Sequence, residues 1–165
     1  MKNLKNVILN AGMIIAGILM YVFMACANVS TVGESANLFD FMKEGVQESN
    51  QFMSATGFNL AVVAGYFIAI FAAIMIVVAI VNLLCDFGVI KNVKIAKILN
   101  IVNMITSILV AIFALLALIG CAVYCNDVSI LTKTTIGWAA IVNLIVGVLA
   151  AACGVLGFVW GKKSK

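Results

Sequence analysis

The sequence has no histidine, no arginine and no proline, and only 10% of its 165 residues are charged. Without histidine, the commonest general base and metal ligand is missing. Without arginine, there is no planar fork for bidentate binding of phosphate or carboxylate groups. Without proline, the usual cause of a helix kink is absent, which disfavours the broken helices of many secondary transporters. These absences argue against most enzyme, metal and nucleotide chemistry.

What the chain has instead is apolar side chains, at 65% of residues, with a mean hydropathy of +1.25. Such a composition predicts a single all-α integral membrane domain over residues 1–165, with four antiparallel transmembrane helices. Each apolar run exceeds the roughly 20 residues needed to span a bilayer. The predicted spans are about 7–27, 58–84, 98–124 and 136–160, and the first outer loop is 28–57.

The lysines orient these spans. Eight lysines and one acid fall on the side of the two termini and the loop after span two, whereas two lysines and five acids fall on the other. The positive-inside rule therefore predicts a multi-pass protein of the plasma (cytoplasmic) membrane with cytoplasmic N- and C-termini. The net charge of +4 reflects this topology and does not predict a nucleic-acid partner. Lysine without arginine, with thirteen asparagines, favours a bacterial source.

The first span has a second interpretation. Lys2 and Lys5, an apolar run and then Ala25-Cys26-Ala27 resemble a secretory signal peptide that ends in a small-residue cleavage site. The apolar run is long for a signal peptide, so we expect an uncleaved transmembrane helix. Cleavage would instead leave three spans.

Small residues recur at helical spacing in the spans, where close backbone approach drives association in lipid. The clearest pattern is in span four and a second is in span two. The predicted helix-packing seam contains Ala140, Asn143, Gly147, Ala150, Gly154, Gly157 and Gly161, with Ala61, Gly65, Ala69 and Ala73.

Polar side chains collect near the predicted cytoplasmic ends of the first three spans. The candidate polar lining is Asn10, Asn82, Asn100, Asn103 and Ser107. These groups either bond to neighbouring helices, at about 0.6–2 kcal/mol each, or line a pore within an oligomer. No predicted span contains a charged side chain, which argues against a proton relay.

The outer loop predicts an amphipathic helix of about four turns, with Ser35 as a plausible cap. Its apolar stripe is Leu38, Phe41, Met42, Val46, Phe52 and Met53. This helix either rests on the bilayer or its own bundle, or contacts another subunit or an external protein through residues 35–54.

Five cysteines are scattered with no C-x-x-C pair, so we predict no metal site and no cofactor. Cys26, Cys121 and Cys125 lie at the outer level. A disulfide from Cys26 to Cys121 or Cys125 is one interpretation, and small apolar packing residues are the other.

Four spans, inner termini and a larger first outer loop resemble the topology of claudin-like and large-pore channel proteins. The first outer loop contains neither tryptophan nor cysteine, so the claudin loop motif is missing and no family residue is assigned. We therefore expect a non-enzymatic, self-associating structural or assembly subunit whose partners are membrane lipids and other copies of itself. The alternative is an oligomeric channel or small-solute transporter with a neutral polar lining.

Overall fold

The computed structural model describes residues 4–31, 33–48, 55–90, 93–128 and 133–163, apart from the side chains of residues 93 and 161–163. The elements are α1 (Leu4–Met24), β1 (Ala27–Thr31), β2 (Glu34–Asn37), α2 (Leu38–Glu44), α3 (Thr56–Asp86), α4 (Val93–Val128), β3 (Thr135–Ile136) and α5 (Trp138–Lys163). The fold is mostly helical, and α1, α3, α4 and α5 are each long and apolar enough to cross a membrane. This part of the sequence prediction is confirmed.

The first span ends earlier than its apolar run predicts. Helix α1 stops at Met24, and Ala27 belongs to strand β1. The Asn28 side chain donates to the carbonyls of Phe23 and Cys26 at 3.1 and 2.7 Å, so it caps the end of α1. These terminal carbonyls have no partner inside a helix, and an asparagine that binds them ends the helix there.

A three-stranded sheet of order β2-β1-β3 was not predicted. Both outer strands run antiparallel to β1, and Ser30 of β1 lies opposite Ser35 of β2 and Thr135 of β3. The predicted fourth span was wrong at its start, because Ile136 belongs to β3 and α5 begins at Trp138. Gly137 connects β3 to α5, and a side chain does not fit there because a Cβ would overlap the carbonyl of Ala27.

The predicted four-turn outer helix was also wrong in length. Helix α2 has seven residues, about two turns. Its N-cap is Asn37 and not Ser35, because Asn37 and Asp40 form a reciprocal capping box. Gly45 follows at φ 73°, a left-handed conformation that favours glycine and ends the helix. Phe52 and Met53 of the predicted stripe lie outside the described residues.

The four long helices contact each other as the pairs α1–α3, α3–α4, α4–α5 and α5–α1. Buried positions recur at alternating steps of three and four residues, the spacing of left-handed helix packing. In α4 they are Asn103, Ser107, Val110, Ala114, Ala117 and Cys121. The opposite face of α4 exposes Ile101, Ile105, Ile108, Ile112, Leu115 and Ile119.

Two ends of the helical assembly differ in chemistry. At one end, which we call the sheet end, Trp138 packs edge-on against Phe23 beside the sheet. At the other, which we call the amide end, Asn10 of α1 donates to Asp86 of α3. Between them the interior is filled with flexible apolar side chains. The largest of these are Met13, Met20, Met24, Ile68 and Met75.

Candidate functional site

The α5 part of the predicted seam faces the interior of the same chain. Ala140, Asn143, Gly147, Ala150 and Gly154 are buried, and Gly157 is half-buried. A Cβ at Gly147 would lie 3.2 Å from the Cα of Ala111, so α4 and α5 approach closely here. The side chain of Gly161 lies outside the described residues.

The α3 part of the seam only begins in the interior. Ala61 and Gly65 are buried, Ala69 is half-buried and Ala73 is exposed. Steps of four residues advance 400° around a helix, so each step drifts by about 40°. The stripe therefore rotates out of the interior, and the buried face continues instead through Ile68, Ala72, Met75 and Ala79.

Two glycines outside the predicted seam, Gly57 and Gly120, form a very close crossing between α3 and α4. A Cβ at Gly120 would lie 2.6 Å from the amide nitrogen of Ala61, and one at Gly57 would overlap the backbone of Tyr124. Both obstacles are backbone atoms, so neither can move aside cheaply. The sequence does contain a pattern that marks Gly120, because it follows Ala114 and Ala117 at three-residue steps.

The candidate polar lining converges at the amide end. The Asn103 side chain donates to Asn10 at 3.4 Å, and Asn10 donates to Asp86 at 3.0 Å. Helices α4, α1 and α3 are thereby joined through one row of side chains. Asn10, Asn82, Asn103 and Ser107 are buried and Asn100 is half-buried. We call Asn10, Asn82, Asp86 and Asn103 the amide layer.

Two buried atoms of the amide layer have no hydrogen-bond partner among the described residues. They are the donor Nδ2 of Asn82 and the acceptor Oδ1 of Asn103. Ser107 is satisfied locally, because its hydroxyl donates to the Met104 carbonyl at 3.0 Å. In α5, Oδ1 of Asn143 is likewise unpartnered within the described ranges. A buried unpaired polar group costs about 1–3 kcal/mol, so these atoms call for an explanation.

The predicted outer contact helix packs on α3 of its own chain. Leu38 and Phe41 are buried, and Met42 is half-buried against Gly65. A Cβ at Gly65 would lie 3.0 Å from the Met42 sulfur, so the glycine makes room for α2. The Tyr66 hydroxyl adds a 2.7 Å hydrogen bond to the Met42 carbonyl.

An aromatic cluster lies beneath α2, where Phe41 contacts Phe58 and Tyr124 at centroid distances of 4.8 and 5.3 Å. Val46, by contrast, follows the end of α2 and is 66% exposed. The part of the apolar stripe that lies in α2 therefore packs within the chain. What α2 leaves exposed is its polar face, with Lys43 and Glu44.

The sheet end presents two strand edges with opposite charges beside them. Within the part of the chain that the structure describes, strands β2 and β3 pair with β1 and with no other strand, so each has one unpaired edge. Glu34 begins the β2 edge, and Lys133 lies two residues before the β3 edge. Both side chains are exposed. An unpaired strand edge is a template for pairing with another chain.

The cysteines are free thiols in the structure, so the disulfide interpretation is not realised. Cys121 and Cys125 are buried and Cys26 is half-buried. Within the described ranges, no group of three or more His, Cys, Asp or Glu side chains is arranged to hold a metal ion.

Comparisons with family models, with curated proteins and with solved structures each give no match to this chain.

Proposed function

We propose that this chain is a non-enzymatic four-pass protein of the plasma membrane that acts as a self-associating structural or assembly subunit. In this proposal the long helices form an antiparallel transmembrane bundle with both termini cytoplasmic, and the sheet end faces outward. The proposal is supported mainly by the sheet, whose two outer strands each have one edge that is unpaired in the sheet.

The geometry of the sheet suits association between copies in one membrane. Because β2 and β3 are both antiparallel to β1, they are parallel to each other. Copies inserted in the same sense differ by rotation about the membrane normal, so the β3 edge of one can meet the β2 edge of the next. Such head-to-tail contacts build rings or open chains.

The charges favour this arrangement over its competitors. Glu34 beside Glu34, or Lys133 beside Lys133, would repel where two identical edges met. The β3 edge of one copy against the β2 edge of the next would instead bring Lys133 close to Glu34. Short charged edges resist indiscriminate pairing, so this pattern favours one specific neighbour.

A charge-exchange experiment tests the contact. Glu34→Lys or Lys133→Glu alone should reduce chemically cross-linked oligomers in membranes, and the double variant E34K/K133E should restore them. Lys43→Glu is the control, because Lys43 is exposed and its ion pair lies 3.5 Å away at Asp40 of the same chain. A double variant no better than either single variant would refute this interface, and monomers throughout would refute self-association.

The orientation is tested separately by cysteine labelling, in a background where the two partly exposed end thiols, Cys26 and Cys85, are replaced by serine. Lys43→Cys should react with an impermeant maleimide in intact cells. Lys94→Cys should react only after permeabilisation, since residue 94 lies in the predicted cytoplasmic loop between spans two and three. The reverse pattern would overturn the proposed topology.

The channel alternative remains a prediction without a specific observation in its favour. Asn10 and Asn103 bond to each other inside one chain, and Asn82 and Ser107 are buried in that same chain. Side chains already used for contacts between helices of one subunit are poorly placed to line a path between subunits. We therefore favour the assembly function.

A further inference from the structure

We propose that the amide layer is a water-binding site, in which one or two water molecules bridge Asn82 of α3 and Asn103 of α4 as a fixed part of the helical interior. This inference does not depend on the proposed function. It begins from the two unpartnered atoms, which are of opposite type: Nδ2 of Asn82 donates and Oδ1 of Asn103 accepts. Both side chains are almost fully buried, at 3% and 1% exposure.

The two side chains lie on facing helices, with their levels offset along the helix axes. Gly120 meets Ala61 across α3 and α4, and Phe67 stacks on Phe113 at 4.6 Å. Continuing this register places Asn82 level with about residue 98 of α4, so Asn103 lies roughly one to one and a half turns further along. One water reaches partners about 5–6 Å apart, and two waters reach further.

Asn10 links the two helices that carry the unpartnered atoms. It accepts from Asn103 and donates to Asp86, which lies one turn beyond Asn82 on α3. Asp86 and Asn103 therefore bond to Asn10 from α3 and α4, and the two unpartnered atoms belong to Asn103 itself and to Asn82, one turn from Asp86. A site with several convergent polar groups can hold water, whereas an apolar void of the same size stays dry.

Water fits this donor and acceptor set better than a cation does. A monovalent cation would bind the Asn103 oxygen but would face the Asn82 amide hydrogens, which carry partial positive charge. A water molecule can accept from Asn82 and donate to Asn103 at the same time. It thereby removes both unpaired groups, each of which is costly in an apolar interior.

The site can be tested by NMR on the full-length protein in deuterated micelles. The experiment measures magnetisation transfer from water to the side-chain amides of asparagine. Cross-peaks at the water frequency are expected for the Asn82 and Asn103 amide groups. Asn28 is the matched control, because it is equally buried at 2% but its Nδ2 donates to carbonyls of its own chain. Asn28 should therefore show no such peak.

The outcomes separate the alternatives. Absence of the peaks at both Asn82 and Asn103 would overturn the proposal. A cation site would give a different result when sodium or potassium replaces N-methylglucamine. The Asn103 resonances would then shift and the water cross-peaks would disappear. Asn82→Leu should abolish the Asn103 water peak and leave the Asn28 resonance in place. If this variant does not fold, the wild-type spectrum alone decides.

Discussion

The crossing of α3 and α4 at Gly120 allows a quantitative test of the packing. In Gly120→Ala, the new Cβ would lie 2.6 Å from the nitrogen and 3.0 Å from the Cα of Ala61. Ordinary contact begins near 3.4 Å, so the helices must separate by several tenths of an ångström along this interface. Overpacking of this kind costs about 1–3 kcal/mol, against about 0.8–1 kcal/mol gained from the higher helix propensity of alanine. We expect net destabilisation.

Gly157→Ala is the matched control for this substitution. The chemical change is identical, but the nearest atom to the new Cβ is a Leu9 methyl carbon at 3.9 Å. Only the propensity gain applies there, so the control should be neutral or stabilised by up to about 1 kcal/mol. The two variants should therefore differ in unfolding free energy by about 1–3 kcal/mol.

A thermal melt in detergent followed with a thiol-reactive dye measures this difference, because Cys121 and Cys125 are buried and react only on unfolding. Gly120→Ala should melt below the wild type and Gly157→Ala at or above it. A Gly120→Ala protein that melts as high as the control would refute the close crossing. Gly57→Ala, on the facing helix, should repeat the Gly120→Ala result because its Cβ meets the backbone of Tyr124.

Three further predictions follow from single contacts. Gly154→Ala should destabilise the fold because its Cβ would overlap the Ser107 hydroxyl, and Ser107→Gly in the same chain should restore the melting temperature. Asn28→Ala should cost about 1–2 kcal/mol in unfolding free energy, since the cap at the end of α1 is lost; an unchanged melting temperature would show that the cap does not stabilise the fold. Tyr66→Phe removes the bond to the Met42 carbonyl, so hydrogen exchange should quicken across α2 with little change in global melting; unchanged exchange there would contradict that role.

The four long helices could be predicted from sequence because their determinant is local. A run of apolar residues longer than the bilayer is thick is sufficient to recognise each candidate span. Their ends could not be predicted so well, because the determinants are contacts between distant segments. Helix α1 ends where Asn28 caps it, and α5 starts where Gly137 lies against Ala27 of β1. At the end of α1 and at the start of α5, the apolar run gives no local indication of where the helix boundary lies.

The sheet and the outer helix show the same limit. Strands β2 and β3 are four and two residues long, too short for alternation to reveal them. The apolar stripe of the outer loop did mark helix α2, but Gly45 ends the helix after Glu44. The predicted α3 seam continues past Gly65 in steps of four residues, whereas the packed face advances by alternating steps. The asparagines of the amide layer could be predicted as a group, but the bond from Asn10 to Asp86 depends on how α1 and α3 pack.

The positions of the small residues limit which surfaces remain for the proposed self-association. In lipid, helices associate through small residues and polar contacts. Here Gly147, Gly154 and the Gly57–Gly120 crossing form close contacts between helices of the same chain. The exposed face of α4, from Ile101 to Ile119, offers branched apolar side chains that lipid tails solvate equally well. We therefore expect a specific contact between copies chiefly at the sheet end, outside the apolar region. Alanine at the close contacts Gly57, Gly120 or Gly154 should therefore lower the stability of the subunit without changing subunit number. Glu34→Lys or Lys133→Glu alone should instead reduce subunit number without lowering stability.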